Sequence, residues 1–392
     1  MGVKRPVRIG MVGYKFMGKA HAHAYRDIPF YFDSDATPVL QGIAGRDEAG
    51  VREAARRYGF ASYETDWRRL IDRQDIDVID IVTPNNAHAE IAIAAATAGK
   101  HVVCEKPLAM TLDEARQMLT AAQAQGVVHM LCHNYRFAPA VQFAKRLIQE
   151  GRLGRIYHVR AQYLQDWIMD PSFPLVWRLR KEVTGSGALG DIAAHILDLA
   201  RFLVGEFREV VSAMETFIEE RPLGEMTSGL NASLSPNIEG NQTGQVDVDD
   251  ATAFLAHFEN GALGVFEATR FAAGNRNGNR FEINGEKGSI RWSLEDMNWL
   301  EVYFTDDEPG LQGFRRVNCT EEVHPYAGAY WPAGHIIGYE HTFINLFKEL
   351  MDGIANRRDV EPNFEDGVKN QAVLAAVERS AMSRQWVRVA EM

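Results

Sequence analysis

The chain has 392 residues, enough for two domains of ordinary size, and 46% of them are apolar, as in a globular protein. A formal charge of −11 argues against a general nucleic-acid binder, because phosphate contacts need a basic surface. No apolar run suits a membrane span or a signal peptide, so a cytoplasmic protein with no membrane partner is expected.

The first part of the chain alternates strand and helix signals. "VRIGMVG" (7–13) is expected as a strand, followed by a helix from about Met17. "PVLQGIAG" (38–45) is the next strand, and "EAGVREAARRYG" (48–59) a helix ending on Gly. "DVIDIVTP" (77–84) reads as a continuous apolar strand, as expected for one covered on both faces. An Ala-rich helix (86–100), a strand "HVVCEKP" (101–107) halted by Pro107, a helix (111–126) and a strand "VVHMLCHNY" (127–135) follow. Thr111 and Glu114 form a capping box at the start of the 111–126 helix. Repeated β-α-β units with apolar strands predict a doubly wound parallel sheet, that is, a Rossmann domain over 1–135.

Beyond 135 the rhythm changes. A helix at "APAVQFAKRLIQEG" leads to strand-like segments at 155–165, 208–218, 251–271 and 280–305, with turns at 259–261 and 284–288. Helices are expected at 187–205 and as a pair from about 338, and a long surface loop at 221–246. Residues 136–392 therefore read as an α/β domain with a large, mostly antiparallel sheet. The three cysteines, Cys104, Cys132 and Cys319, do not make a disulfide framework, and Cys104 and Cys132, which lie in apolar runs, are expected as buried thiols. No Cys/His cluster has zinc spacing, so no metal is expected.

The segment "MVGYKFMGKA" places Gly13, Lys15 and Gly18 where a dinucleotide turn has three glycines. Gly13 permits the bend and Gly18 lets the helix approach the sheet, and phosphate is drawn to the helix N-terminus, beside Phe16 and Met17. Lys15 replaces the middle glycine and either adds charge beside the phosphates or points to solvent. At the end of the second strand, Gly45 takes the place of the acidic residue that grips a ribose in NAD enzymes, and Arg46 follows. That pair permits NADP; alternatively Arg46 stacks on adenine and serves either cofactor. Asp47 is expected as a helix N-cap.

Three segments carry candidate chemistry. Glu105 and Lys106 sit at the carboxyl end of a buried strand, the edge where open α/β sheets bind ligands, either as a functional pair or as solvated neighbours. Asp191, His195 and Asp198, spaced by four and three, share one helical stripe. Asp191 with His195 is an orienting pair, a satisfied buried histidine or a surface ion pair. Aromatic and polar residues cluster at "YLQDW" (163–167), "VWRLR" (176–180) and "AYWPAGHIIGYE" (329–340), as in carbohydrate sites or as simple packing.

Taken together, "VGYKFMGKAHAHAY", "DVIDIVTPNNAHAEIAIAAATAGKHVVCEKPLA" and "WRLRKEVTGSGALGDIAAHILDLARFLVG" resemble the Gfo/Idh/MocA family of oxidoreductases along nearly the whole chain. The resemblance implies an N-terminal Rossmann domain and a C-terminal α/β domain for substrate binding and oligomerisation, hence a homodimer or homotetramer. It implies Lys106, Asp191 and His195 as the catalytic set. It also places Thr83, Pro84, Asn86, His88, Glu105, Asn134, Trp177 and Arg178 among the cofactor contacts. Tyr135, Tyr163, Gln165, His195 and His335 are expected at the substrate. Within the family, "FMGKAH", "QDW" and "PAGHIIGYE" look most like sugar and glycoside dehydrogenases of the levoglucosan dehydrogenase kind. The expected activity is NAD-dependent oxidation of a secondary hydroxyl on a sugar, anhydrosugar or glycoside, with NADP permitted by Gly45 and Arg46. Cyclitol dehydrogenase, NAD-dependent glycosidase and non-catalytic cofactor-binding regulator are the alternatives.

Overall fold

The computed structural model describes residues 4–228, 231–234 and 242–392. The chain forms two compact units, one of residues 1–134 with 339–371 and one of 135–338 with 372–392.

The first unit is built on six parallel strands: β1 (Arg5–Val12), β2 (Ala36–Ala44), β3 (Ser62–Glu64), β4 (Val78–Ile81), β5 (His101–Cys104) and β6 (His129–Leu131). Their order is β3-β2-β1-β4-β5-β6, so the order of strands reverses beside β1 and β4. Strands covered on both faces must be apolar throughout, and β4 and β5 are buried along nearly their whole length. The helices α1 (Phe16–Tyr31), α2 (Glu48–Tyr58), α3 (Trp67–Asp72), α4 (His88–Thr97) and α5 (Leu112–Gln125) connect them. Asp47 caps α2 by accepting from the Gly50 backbone N–H, and Thr111 with Glu114 closes the capping box on α5. β3 and α3 carry too few periodic residues to have been read from the sequence.

Residues 339–371 were expected in the second domain and belong to the first unit. The reason is the aromatic face of the helix Tyr339–Asn356. Phe347 stacks on Tyr25 of α1 with ring centroids 4.4 Å apart. Below it Asp352 accepts from the Ser34 hydroxyl at 2.6 Å and from the Asp35 backbone N–H at 2.9 Å.

The second unit is dominated by a nine-stranded sheet. In spatial order its strands are Arg315–Asn318, Trp299–Phe304, Gly288–Ser293, Gly278–Gly285, Ile156–Leu164, Leu263–Thr269, Ala251–Phe258, Phe207–Glu215 and Val387–Arg388. Every pairing is antiparallel except Ile156–Leu164 with Leu263–Thr269. Ala251–Phe258 alternates buried and more exposed residues, so one face of the sheet is covered and the other open. The open face presents Leu255, Leu263 and Val265, each about two-fifths exposed at 41%, 40% and 38%. The stretch 221–246, expected as one long loop, instead contains two short antiparallel pairs, Glu220–Pro222 with Thr243–Gln245 and Gly224–Ser228 with Asn231–Leu234. The rest of that expectation, at 229–230 and 235–241, lies outside the described residues. All three cysteines are buried free thiols. Among the described residues, no helix is long and apolar enough to cross a membrane.

Asp198 pairs with a residue from outside its own helix. Its carboxylate accepts two bonds from the Arg136 guanidinium, at 2.8 and 2.6 Å, with both side chains almost fully buried. This is a structural ion pair. Truncating Asp198 to Ala leaves a buried guanidinium without its counter-charge, so D198A should lose about 3–5 kcal/mol of unfolding free energy. Urea denaturation followed by circular dichroism measures the loss, and D198N should lose less because its amide oxygen still accepts.

Candidate active site

At the carboxyl edge of the parallel sheet, β1 ends in Gly13, whose φ of +106° a side chain resists. A Cβ there would stand 2.7 Å from the Val82 carbonyl oxygen, so glycine is required twice over. A Cβ on Gly18 would lie 3.0 Å from the Gly13 carbonyl, which is how closely α1 approaches the turn. Lys15 is the N-cap residue of α1, and among the described residues no side chain caps the helix there. Its first N–H groups are therefore available to an anion. Phe16 is half exposed and Met17 partly buried beside them. The next rim segment holds Thr83, Pro84 and the exposed Asn86; the Thr83 hydroxyl is buried and has no hydrogen-bond partner among the described residues. These features suit a dinucleotide, whose pyrophosphate needs backbone donors and close approach.

The end of β2 explains the missing acidic residue. The Tyr14 ring covers Gly45 so closely that a Cβ would fall 2.4 Å from it. Tyr14 reaches Asp47 at 3.3 Å, and Arg46 remains exposed. An aspartate at position 45 would therefore have to displace this ring.

Two expected cofactor contacts also make hydrogen bonds within the protein. His88 is fully buried, with Nδ1 3.0 Å from the Pro107 carbonyl and Nε2 3.1 Å from the Thr83 carbonyl, joining the two rim segments. Burial holds its pKa below the ordinary value, against the pull of those carbonyls. Asn134 is buried and donates its amide to the Thr342 hydroxyl at 2.7 Å.

Behind Lys106, which is partly exposed, stands a group that the sequence reading passed over. Asp80 lies in the middle of β4 and is completely buried. His21 of α1 places Nδ1 3.1 and 3.0 Å from its two oxygens and Nε2 2.9 Å from Glu105 Oε1. The other Glu105 oxygen accepts the Lys106 backbone N–H at 3.1 Å. Burial alone would lower the His21 pKa, but the two carboxylates outweigh it and raise the value to about 9. Burial alone would raise the Glu105 pKa, but the bond and charge of His21 bring it below the usual value. The signal available in the sequence was the lone Asp in an otherwise apolar strand, since a buried carboxylate needs a partner.

In the second unit the segment carrying Asp191 and His195 is not a plain α-helix. Leu189–Ala193 forms one wide π-turn leading into the helix Ala194–Leu203. Such turns are common at functional sites, and this one alters the simple stripe geometry expected for residues 191–198. Its start is clamped by Asp249, which accepts from the Gly187 and Leu189 N–H groups at 2.6 and 2.7 Å. Asp191 lies 3.7 Å from Arg178 and 4.0 Å from Arg270. Arg178 also covers the Trp177 ring at 4.3 Å, and Arg270 is completely buried with a bond to the Asp249 carbonyl at 2.9 Å. Arg270 was absent from the sequence reading, because nothing local ties it to Asp191.

His195 is nearly buried against Tyr135 and Tyr163, with ring centroids 4.6 and 5.8 Å away. The Tyr135 and Tyr163 hydroxyls lie 3.1 Å apart, and Tyr163 donates to Asn277 Oδ1 at 2.6 Å. Gln165 donates to the same oxygen at 3.1 Å and accepts from the Trp167 indole at 3.0 Å. Tyr135, Tyr163, Gln165 and His195 thus form one polar-aromatic cluster, with Asn277 as a centre that the sequence did not announce. His335 is different: it sits on an exposed loop, its Nδ1 2.8 Å from the Pro332 carbonyl.

A glycine turn under an uncapped helix, on a parallel sheet of this order, defines a dinucleotide-binding protein. Residues 7–133 match the model of the oxidoreductase family with an NAD-binding Rossmann fold, and 141–291 match the Gfo/Idh/MocA C-terminal domain. The chain belongs to the Gfo/Idh/MocA family and is an NAD-dependent oxidoreductase. It is 45% identical over 388 residues to levoglucosan dehydrogenase of Pseudarthrobacter phenanthrenivorans, spanning 98% of this chain and 99% of that one. Among solved structures, an oxidoreductase domain protein from Kribbella flavida is 50% identical, with a TM-score of 0.92 over 98% of this chain and 99% of that one. A levoglucosan dehydrogenase in complex with NADH and levoglucosan is 45% identical, with a TM-score of 0.92 over 98% of this chain and 100% of that one.

The buried charges predict a pH signature. The folded pKa of His21 lies above its ordinary 6.5, so its stabilising contribution is complete below that value and is lost as pH rises through about 9. In H21Q the fall in urea midpoint across this window should be shallower than in the unaltered protein. Equal slopes would show that His21 titrates normally.

Proposed function

We propose that the protein oxidises a secondary hydroxyl of a sugar, anhydrosugar or glycoside to the keto-sugar. The supporting observation is the cluster around His195. Two tyrosine rings cover the imidazole, and hydroxyl and amide groups stand beside it, a surface suited to the C–H faces and hydroxyls of a pyranose. The levoglucosan complex of the 45%-identical relative supports the same substrate class.

NAD, when bound, accepts the hydride that leaves the substrate carbon. Gly13, Lys15, Phe16, Met17 and Gly18 would hold its pyrophosphate, Arg46 its adenosine end, and Thr83, Pro84, Asn86 and Glu105 the rim beyond. His195 takes the proton of the reacting hydroxyl. Asp191, anchored by Arg178 and Arg270, accepts from the substrate hydroxyl or orients the imidazole. The Lys106 ammonium stabilises negative charge as it develops on the oxygen. The first unit is the NAD-binding domain, and the second binds substrate. The second also forms a homo-oligomer through the open face of its sheet, where Leu255, Leu263 and Val265 lie exposed. Three free buried thiols favour a reducing, cytoplasmic location.

A screen of NADH absorbance, pairing NAD and NADP with levoglucosan, glycosides, free hexoses and inositols, tests the assignment. NADH should accumulate with an anhydrosugar and NAD. Release of aglycone without NADH would mark a glycosidase instead. K106A and H195A should each lose about 10²–10⁴-fold in kcat, while K106A still binds NADH by fluorescence titration. Unchanged turnover in K106A would remove Lys106 from the reaction.

A further inference from the structure

The reaction proposed for Lys106 gives no part to Asp80 and His21, which join Glu105 in one buried network. All three side chains are buried, at 0%, 0% and 5% exposure, and they come from β4, from α1 and from the residue following β5. We propose that His21 is a positioning residue of the reaction: as a doubly protonated imidazole braced by Asp80, it fixes the Glu105 carboxylate and, through Glu105, the backbone that carries Lys106.

Two ionised carboxylates at these distances call for two donors on the ring. A neutral imidazole has one N–H, and its other nitrogen would turn a lone pair toward a carboxylate. Here both nitrogens face carboxylate oxygens, at 3.0 Å on the Asp80 side and 2.9 Å on the Glu105 side. Tyr25, Cys104 and Cys132, packed around the trio, add no positive charge. Tyr25, further along α1, is fully buried, and burial together with Asp80 pushes its phenol well above the ordinary value. Cys104 at the end of β5 and Cys132 just after β6 are likewise pushed well above the usual thiol value by burial and the nearby carboxylates, and stay neutral. The helix Tyr339–Asn356 contributes the rings of Phe343 and Phe347, with centroids 5.3 and 4.8 Å from His21. The charge of Lys106 also helps to hold the Glu105 carboxyl below its usual value. The ligand atoms of His21, Glu105 and Cys132 lie within 4.8 Å of one another, and both histidine nitrogens face carboxylate oxygens.

The consequence lies at the rim. Glu105 holds His21 with one oxygen and the Lys106 N–H with the other. A carboxylate pinned at one end presents a fixed acceptor at the other. Without His21, Glu105 is a buried carboxylate without its strongest partner and is free to rotate or take up a proton. Lys106 then loses a defined neighbour while the phosphate turn stays intact.

This role rests on the catalytic assignment of Lys106, and the experiment separates the two. The holoenzyme is prepared as wild type, H21Q, E105Q and H21Q/E105Q, and kcat and KM for levoglucosan are measured with Kd for NADH. H21Q should lower kcat about tenfold or more, with NADH affinity changed less than about threefold. In the E105Q background, H21Q should add little further loss, because the two residues act as one unit. Additive losses, or a change confined to NADH affinity and melting temperature, would overturn the proposal. Should H21Q not fold, D80N replaces it in the same cycle with the same expectation. Nitrogen-15 labelling of the twelve histidines provides a readout independent of turnover. One imidazole should remain protonated on both nitrogens at about pH 8, well above the ordinary value of about 6.5, and vanish in H21Q. Its absence in the wild type would also sink the proposal. The activity of K106A is scored separately and decides only the Lys106 assignment.

Discussion

Parallel strands deliver all their carboxyl ends to one edge. With β1 beside β4 and β4 beside β5, the residues after those strands, Gly13, Thr83, Glu105 and Lys106, are gathered on a single rim although almost a hundred positions separate the first from the last. Helices leaving neighbouring strands on opposite faces open a crevice there. The glycine turn, the uncapped helix and the lysine owe their shared location to this one topological fact. The Asp80–His21–Glu105 bridge then ties α1 to the strand ends, so that the turn and the lysine do not drift independently.

The second unit reaches order by another route. A wide sheet supports the helix Ala194–Leu203, and buried charges set its position before its start and at its middle. Asp249 clamps the entry, while Asp198 engages Arg136. The π-turn between them gives Asp191 a setting of its own, flanked by Arg178 and Arg270. Two aspartates seven residues apart thus do different work: one holds the helix in place, and the other stands beside two guanidinium groups.

The buried polar groups also account for the specificity of packing in the first unit. His21 and Tyr25 are contacted by Phe343 and Phe347, from a segment more than three hundred residues downstream. That contact draws 339–371 out of the domain to which sequence order would assign it. Repeating β-α units fill the rest of the same core with small apolar residues, notably the alanines of α4.

The sequence alone determined whatever depends on local spacing. Strand and helix periods, the Thr111–Glu114 box, the Asp47 cap, the Gly13–Gly18 turn and the Glu-Lys-Pro rim are encoded within a few residues and were legible. Partner choice among distant charges was not. Asp80 reads as a flaw in an apolar strand until His21 arrives from 59 residues earlier, and Arg270 and Asn277 read as ordinary polar residues until the sheet brings them to Asp191 and Tyr163. A buried charge must find a counter-charge, but only the folded backbone decides which one. That is why tertiary structure, and not spacing, assigned Asp198 to Arg136 and packed His195 against Tyr135 and Tyr163.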